Sequence, residues 1–153
     1  MAVKTKYTIG IDPDVKKNGL AIYNHETLVE LKNLTLTDFY DFCNNMVEHG
    51  DYYPATVIIE DANLISGLYS RNKKGNTAIQ HKISEHVGAN KQRAKDLIEI
   101  LNYFSIPTIR QKPRKGNWAD KKTMFERVTG WKDRSNPETR SAAFFGYFYA
   151  TKK

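Results

Sequence analysis

Short apolar runs broken by turn residues open the chain, and helical spacing takes over further along. Tyr7 to Asp12 is an apolar run that stops on a carboxylate, and Gly19 to Tyr23 is a second; Pro13 and the Asn18-Gly19 pair supply turn chemistry between them. Thr27 to Leu34 reads as a third, antiparallel strand after the Asn24-His25 turn, completing a meander. Thr35 or Thr37 caps a helix in which Phe39, Phe42, Cys43, Met46 and Val47 recur at helical spacing up to Gly50. After Pro54, Thr56 to Glu60 is a continuous apolar run of the kind that fills a strand buried on both faces, and it too ends on an acid.

Residues 61–76 lack periodicity and read as a loop. A long helix follows, because Ile79, Ile83, Val87, Ala94, Leu97, Ile98 and Leu101 keep one apolar face. Ile106 to Ile109 is predicted as a short strand, and Trp118 to Val128 as a helix with Met124, Phe125 and Val128 inward. A last helix runs from Asn136 to Ala150, with Pro137 in its first turn and Ala142, Phe145 and Phe148 or Tyr149 buried. This order predicts an α/β fold: a mixed sheet of three antiparallel strands followed by parallel ones, flanked by helices, in one domain spanning residues 1–153.

Composition narrows the partners. Twenty-four Lys and Arg against 17 Asp and Glu leave a net charge of +7, which favours a polyanionic partner. The single cysteine, Cys43, gives no disulfide framework, and neither a signal peptide nor a membrane span is visible. A soluble, intracellular protein is expected, with no membrane partner.

Asp12 and Glu60 each stand where an apolar strand leaves the core, so neighbouring strands would bring them together. Converging carboxylates repel unless a cation neutralises them, and hard oxygen donors suit Mg²⁺ or Mn²⁺. Two such ions about 3.5–4 Å apart can clamp a phosphodiester. Alone, Asp12 reads as an Asp-Pro turn and Glu60 as a strand end; the pair on a basic chain reads as a site. Asp14 and Asp61 are expected to face solvent. Arg110, Lys112, Arg114, Lys115, Lys121 and Lys122 form a basic cluster suited to phosphates, with Gly116 and Trp118 inside it for close approach to a sugar-phosphate backbone. The four histidines show no ligand spacing. The aromatic run 144–149 reads as core and helix surface rather than a base-stacking platform.

Gly10-Ile11-Asp12-Pro13 with Gly19, Ile58-Ile59-Glu60, and Ala119-Asp120-Lys121 ahead of Met124 together resemble the RuvC-type Holliday junction resolvases, a branch of the RNase H-like nucleases. The resemblance runs from Tyr7 to Ala150. It implies a metal-dependent endonuclease that resolves four-way DNA junctions as a twofold homodimer, with the long helix as the dimer surface. By the same resemblance Asp12 would bridge two Mg²⁺ or Mn²⁺ ions, Glu60 would bind one of them, and Lys121 would lie near the scissile phosphate, with Lys112 or Lys115 as a second lysine. Leu68 and Tyr69, beside Arg71, Lys73 and Lys74, would form a wedge entering the opened junction. The family's last two metal-binding positions fall on Glu138 and Ser141, one helix face apart by three residues, followed by Ala142. Ser141 stands where the family has an aspartate. Three readings follow: Glu138 reaches inward as the third carboxylate, the one favoured; Asp133 or Asp61 substitutes; or the chain is a branched-DNA-binding module that cuts weakly. A related RNA-processing nuclease is a further alternative.

Overall fold

The computed structural model describes residues 4–65, 77–114 and 116–152. In chain order the elements are β1 (Tyr7–Asp12), β2 (Asn18–Asn24), β3 (Thr27–Leu34), α1 (Leu36–His49), β4 (Ala55–Glu60), a one-turn 3₁₀ helix (Ala62–Leu64), α2 (Thr77–Tyr103), β5 (Thr108–Gln111), α3 (Lys122–Thr129) and α4 (Pro137–Thr151). The sheet order is β3-β2-β1-β4-β5, antiparallel from β3 to β1 and parallel from β1 to β5. This is the mixed sheet the sequence predicts.

Side chains alternate across a strand, so each central strand serves two cores. Ile9, Ile11, Leu20, Ile22, Val57 and Ile59 point to the face covered by Phe39, Cys43 and Met46 of α1 and Leu97 and Leu101 of α2. Ala21, Tyr23 and Ile58 point the other way, onto Ala142, Ala143 and Phe145 of α4 and Phe125 of α3. Burial pushes the Cys43 thiol up to about 12, so it is an inert core group.

Local chemistry sets the helix ends. Thr35 and Asp38 form a capping box that starts α1, and Gly50 ends it in the left-handed conformation. Asn136 and Thr139 form the corresponding box ahead of Pro137 in α4. Several inward assignments are corrected. Val47, Met124, Val128 and Phe148 are exposed. At 100° per residue Val47 lies about 80° round from Phe39, outside the stripe of Phe39, Cys43 and Met46; α3 likewise buries Phe125 alone. Strand β5 begins two residues later than predicted, because Ile106 is still tied to the end of α2 through its N–H to the Leu101 carbonyl. Trp118 precedes α3 in a turn closed by the Lys121 N–H on its carbonyl. The side chains of Ile79, Ile83 and Val87 lie outside the described residues. No described helix is long and apolar enough to cross a membrane.

Candidate active site

The parallel register pairs Ile11 with Ile59, so Asp12 and Glu60 leave the sheet side by side, one strand spacing of about 4.8 Å apart. Both project to the α4 face, the face of Gly10 and Ile58 two residues earlier.

Glycine brings α4 down onto that face. A Cβ on Gly10 would lie 2.0 Å from the Ala142 carbonyl oxygen, and one on Gly19 would lie 2.3 Å from that of Glu138. Backbone therefore rests on backbone where β1 and β2 carry no side chain. The buried Tyr23 hydroxyl donates to the Ala143 carbonyl at 2.7 Å and fixes the helix along its axis. Ser141 is thereby placed beside Asp12, close enough for its hydroxyl to favour the ionised Asp12 carboxyl.

The electrostatics of the pair follow from this geometry. The Asp12 carboxyl is pushed up to about 8, first by burial and then by the charge of Glu60. The Ser141 hydrogen bond pulls it down, while Glu138 and Asp14 add smaller upward pushes. Burial raises Glu60 as well, against a hydrogen bond with Asp12 that lowers it. Both carboxyls therefore release their protons less readily than free ones. Among the described residues no basic side chain relieves their repulsion.

Asp12, Glu60 and Ser141 are thus brought together, and Glu138 lies close enough to act on Asp12 through its charge. Among the described residues no three His, Cys, Asp or Glu side chains stand close enough to enclose a metal ion. Two repelling carboxylates and a hydroxyl nevertheless fit a hard divalent cation, because Mg²⁺ needs one or two carboxylates and takes its other oxygens from water and substrate phosphate. Glu138 also lines a neighbouring groove with Asp14, Lys16 and Lys17.

Lys121 stands at the start of α3, exposed, with its Nζ over Gly116, and is not among the groups acting on Asp12. Arg110, Lys112, Arg114 and Lys122 are exposed. Arg110 pairs with Asp61 at 3.5 Å. Leu68, Tyr69, Arg71, Lys73, Lys74 and Lys115 lie outside the described residues.

Two expectations are corrected. Asp61 does not face solvent: it is buried and accepts hydrogen bonds from the backbone N–H and side-chain amide of Asn63 at 2.9 and 2.7 Å, which together with Arg110 occupies it structurally. Trp118 is buried against Phe125, Phe144 and Tyr147, so it braces the segment before α3 and is not free to approach a sugar-phosphate backbone.

Sequence reasoning missed Arg140. It is buried, and among the described residues its guanidinium has no acidic partner; Nε and Nη2 donate to the Ala119 carbonyl at 3.0 and 2.8 Å, and Nη1 donates to Ser135 Oγ at 2.9 Å. It ties the segment leading to Lys121 onto the start of α4, one residue before Ser141. The available signal was a lone cation at the head of the apolar run 142–145.

No family model and no curated protein matches the sequence. Solved structures do match. Thermus thermophilus RuvC in complex with Holliday junction substrate superposes with a TM-score of 0.57 and 13% identity over 92% of this chain and 90% of that one. A second structure of Thermus thermophilus RuvC gives 0.57 and 14% over 92% and 91%. The yeast mitochondrial Holliday junction resolvase Ydc2 gives 0.50 and 10% over 94% and 79%. The chain has the RNase H-like fold of RuvC.

Proposed function

We propose that the chain is a divalent-cation-dependent endonuclease that cuts branched DNA, with four-way junctions as its substrate and a homodimer as its working form. The observation that carries this reading is the pair of half-buried, mutually repelling carboxylates at the ends of neighbouring parallel strands, on a chain of net charge +7. The shared fold with resolvases supports it.

Asp12 and Glu60 would hold Mg²⁺ or Mn²⁺, and Asp12 with Glu138 is the set for a second ion. Bound ions of this kind ionise an attacking water and offset the charge that gathers on the phosphodiester. The chain supplies the rest. Ser141 orients the Asp12 carboxyl, and its hydrogen bond favours the ionised form. Arg140 holds the Lys121 segment against α4, so Lys121 meets the phosphate from a fixed base. The exposed Lys112, Arg114 and Lys122 attract the flanking backbone.

A second reading has its own observation: Ser141 supplies a hydroxyl where a third carboxylate would complete the site, which suits a module that binds junctions and cuts them poorly. Incubating an end-labelled four-way junction with Mg²⁺ and either the wild-type chain or Asp12→Asn separates the two. The nuclease reading expects paired nicks from the wild type alone and equal binding by both. Binding by both with cutting by neither would leave the module. Duplex, flap and RNA substrates alongside test the branched-DNA preference.

A further inference from the structure

On the α4 face of the sheet, beside β5, lies a cavity of about 250 Å³, of whose lining only Arg114 has been given a role above. Buried Ile58 and Phe145 line it together with exposed Phe148 and the partly buried Tyr149. Gln111, Arg114 and Lys152 supply its polar groups, and among the described lining residues none is acidic.

Its position is set by register. Gln111 pairs with Glu60 across the β4–β5 ladder, and Ile58 precedes Glu60 by two residues on the same face. The cavity therefore begins one strand repeat, about 6–7 Å along β4, from Glu60. Phe148 is 46% exposed, yet its ring is held: Phe144 and Tyr147 meet it at near right angles with centroids 5.0 and 5.7 Å away, and the Arg114 guanidinium lies 5.1 Å from its centre. An exposed aromatic ring fixed in this way offers a flat apolar surface at little entropic cost.

The chemistry selects one kind of occupant. Two cations without an acid favour an anion, a fixed aromatic face favours a flat ring, and a side-chain amide reads hydrogen-bonding edges. The volume is below the roughly 300–1,000 Å³ of sites for drug-sized ligands and suits a single heterocycle. We infer that this cavity receives one unstacked base of the DNA strand whose backbone passes Asp12 and Glu60, with Phe148 as the stacking surface, Gln111 at the base edge, and Arg114 and Lys152 on the adjoining phosphates. This rests on the nuclease reading for its substrate class, and it assigns a base contact to a helix whose aromatic run the sequence reads as core and surface.

The test compares the full chain's binding to a short single-stranded oligodeoxynucleotide and to an abasic chain of the same length and phosphate count, both in EDTA. The base-bearing strand is expected to bind roughly 5- to 150-fold more tightly, the range of base–aromatic stacking. Phe148→Leu keeps an apolar side chain on an exposed position and removes the ring; it should bring the ratio near one while leaving the protein folded, as read by circular dichroism, and the salt dependence of binding unchanged. Gln111→Ala should alter which base is preferred. Equal wild-type binding to the two strands, or a ratio that survives Phe148→Leu, overturns the inference. If the wild type still nicks junctions in either case, the nuclease reading stands and the base pocket alone falls; binding to neither strand likewise overturns the base pocket, and absence of junction nicking is what removes the nuclease reading. Tighter binding of the matching RNA strand, lost in Phe148→Leu, overturns the assignment to DNA.

Discussion

Replacing Asp12 by asparagine removes the charge that the metal-free site holds at greatest cost. The unfolded carboxyl titrates at 3.8 and the folded one at about 8. The folded pKa is raised, so between these values the folded state binds more protons than the unfolded state, and stability falls as pH rises. The contribution is fully present below about pH 4 and is lost as pH climbs through 8. At one pKa unit per roughly 1.4 kcal/mol, the loss by pH 7 is about 4 kcal/mol, and the slope is about 1.4 kcal/mol per pH unit in between. Asp12→Asn does not titrate there. In EDTA it should be more stable than the wild type by about 2–4 kcal/mol at pH 7 and equal to it near pH 4. Urea unfolding followed by circular dichroism across that range measures both quantities. Adding Mg²⁺ at a hundredfold excess over its dissociation constant should return ~2.7 kcal/mol to the wild type and nothing to the variant. Parallel stability curves for the two proteins in EDTA would refute the argument, because they would mean that the folded chain neither withdraws the Asp12 carboxyl from water nor sets it against Glu60.

Two further substitutions probe the same corner. Gly10→Ala places a Cβ 2.0 Å from the Ala142 carbonyl oxygen, a backbone atom of α4 that cannot step aside alone; a loss of about 1–3 kcal/mol is expected from overpacking, with junction cleavage falling further than stability, as read by thermal unfolding beside a nicking assay. Ser141→Asp adds a third carboxylate next to Asp12; the metal-free protein should lose stability at pH 7, while Mn²⁺ titrated by calorimetry should bind more tightly than to the wild type, and unchanged affinity would separate this position from the ions.

The strands and the acidic pair were legible because both are local signals. Six consecutive residues suffice to show that β1 and β4 are apolar and end on acids, and the register did the rest. Asp61 was not legible. Its burial depends on Arg110, nearly fifty residues away, and on a one-turn helix too short to leave a period. Trp118 looked like an aromatic in a basic loop, and only the arrival of Phe144 from α4 makes it core. Gly10 and Gly19 read as strand and turn glycines, whereas the space they leave is what lets α4 place Ser141 on Asp12. Arg140 was hidden for the opposite reason: its partners are backbone carbonyl and hydroxyl oxygens, which carry no sequence signature.

The distribution of positive charge argues for what the site requires. The chain carries seven excess cations, yet several described ones are engaged elsewhere: Arg110 on Asp61, Arg140 on the Ala119 carbonyl, Arg93 on the Val15 carbonyl, and Lys121 over Gly116. A lysine or arginine beside Asp12 and Glu60 would relieve their repulsion at any pH and close the site to an incoming cation. Among the described residues no cation acts on Asp12, so its charge is met from outside, by a proton or by a divalent ion. Ser141 bears on that competition. Its hydrogen bond draws Asp12 toward the ionised state, opposite in sign to the effect of a carboxylate at the same place. The substitution thus gives up a third anionic oxygen and in return makes the first one easier to deprotonate, so proton and metal compete at Asp12 closer to neutral pH than they would in a site of three acids.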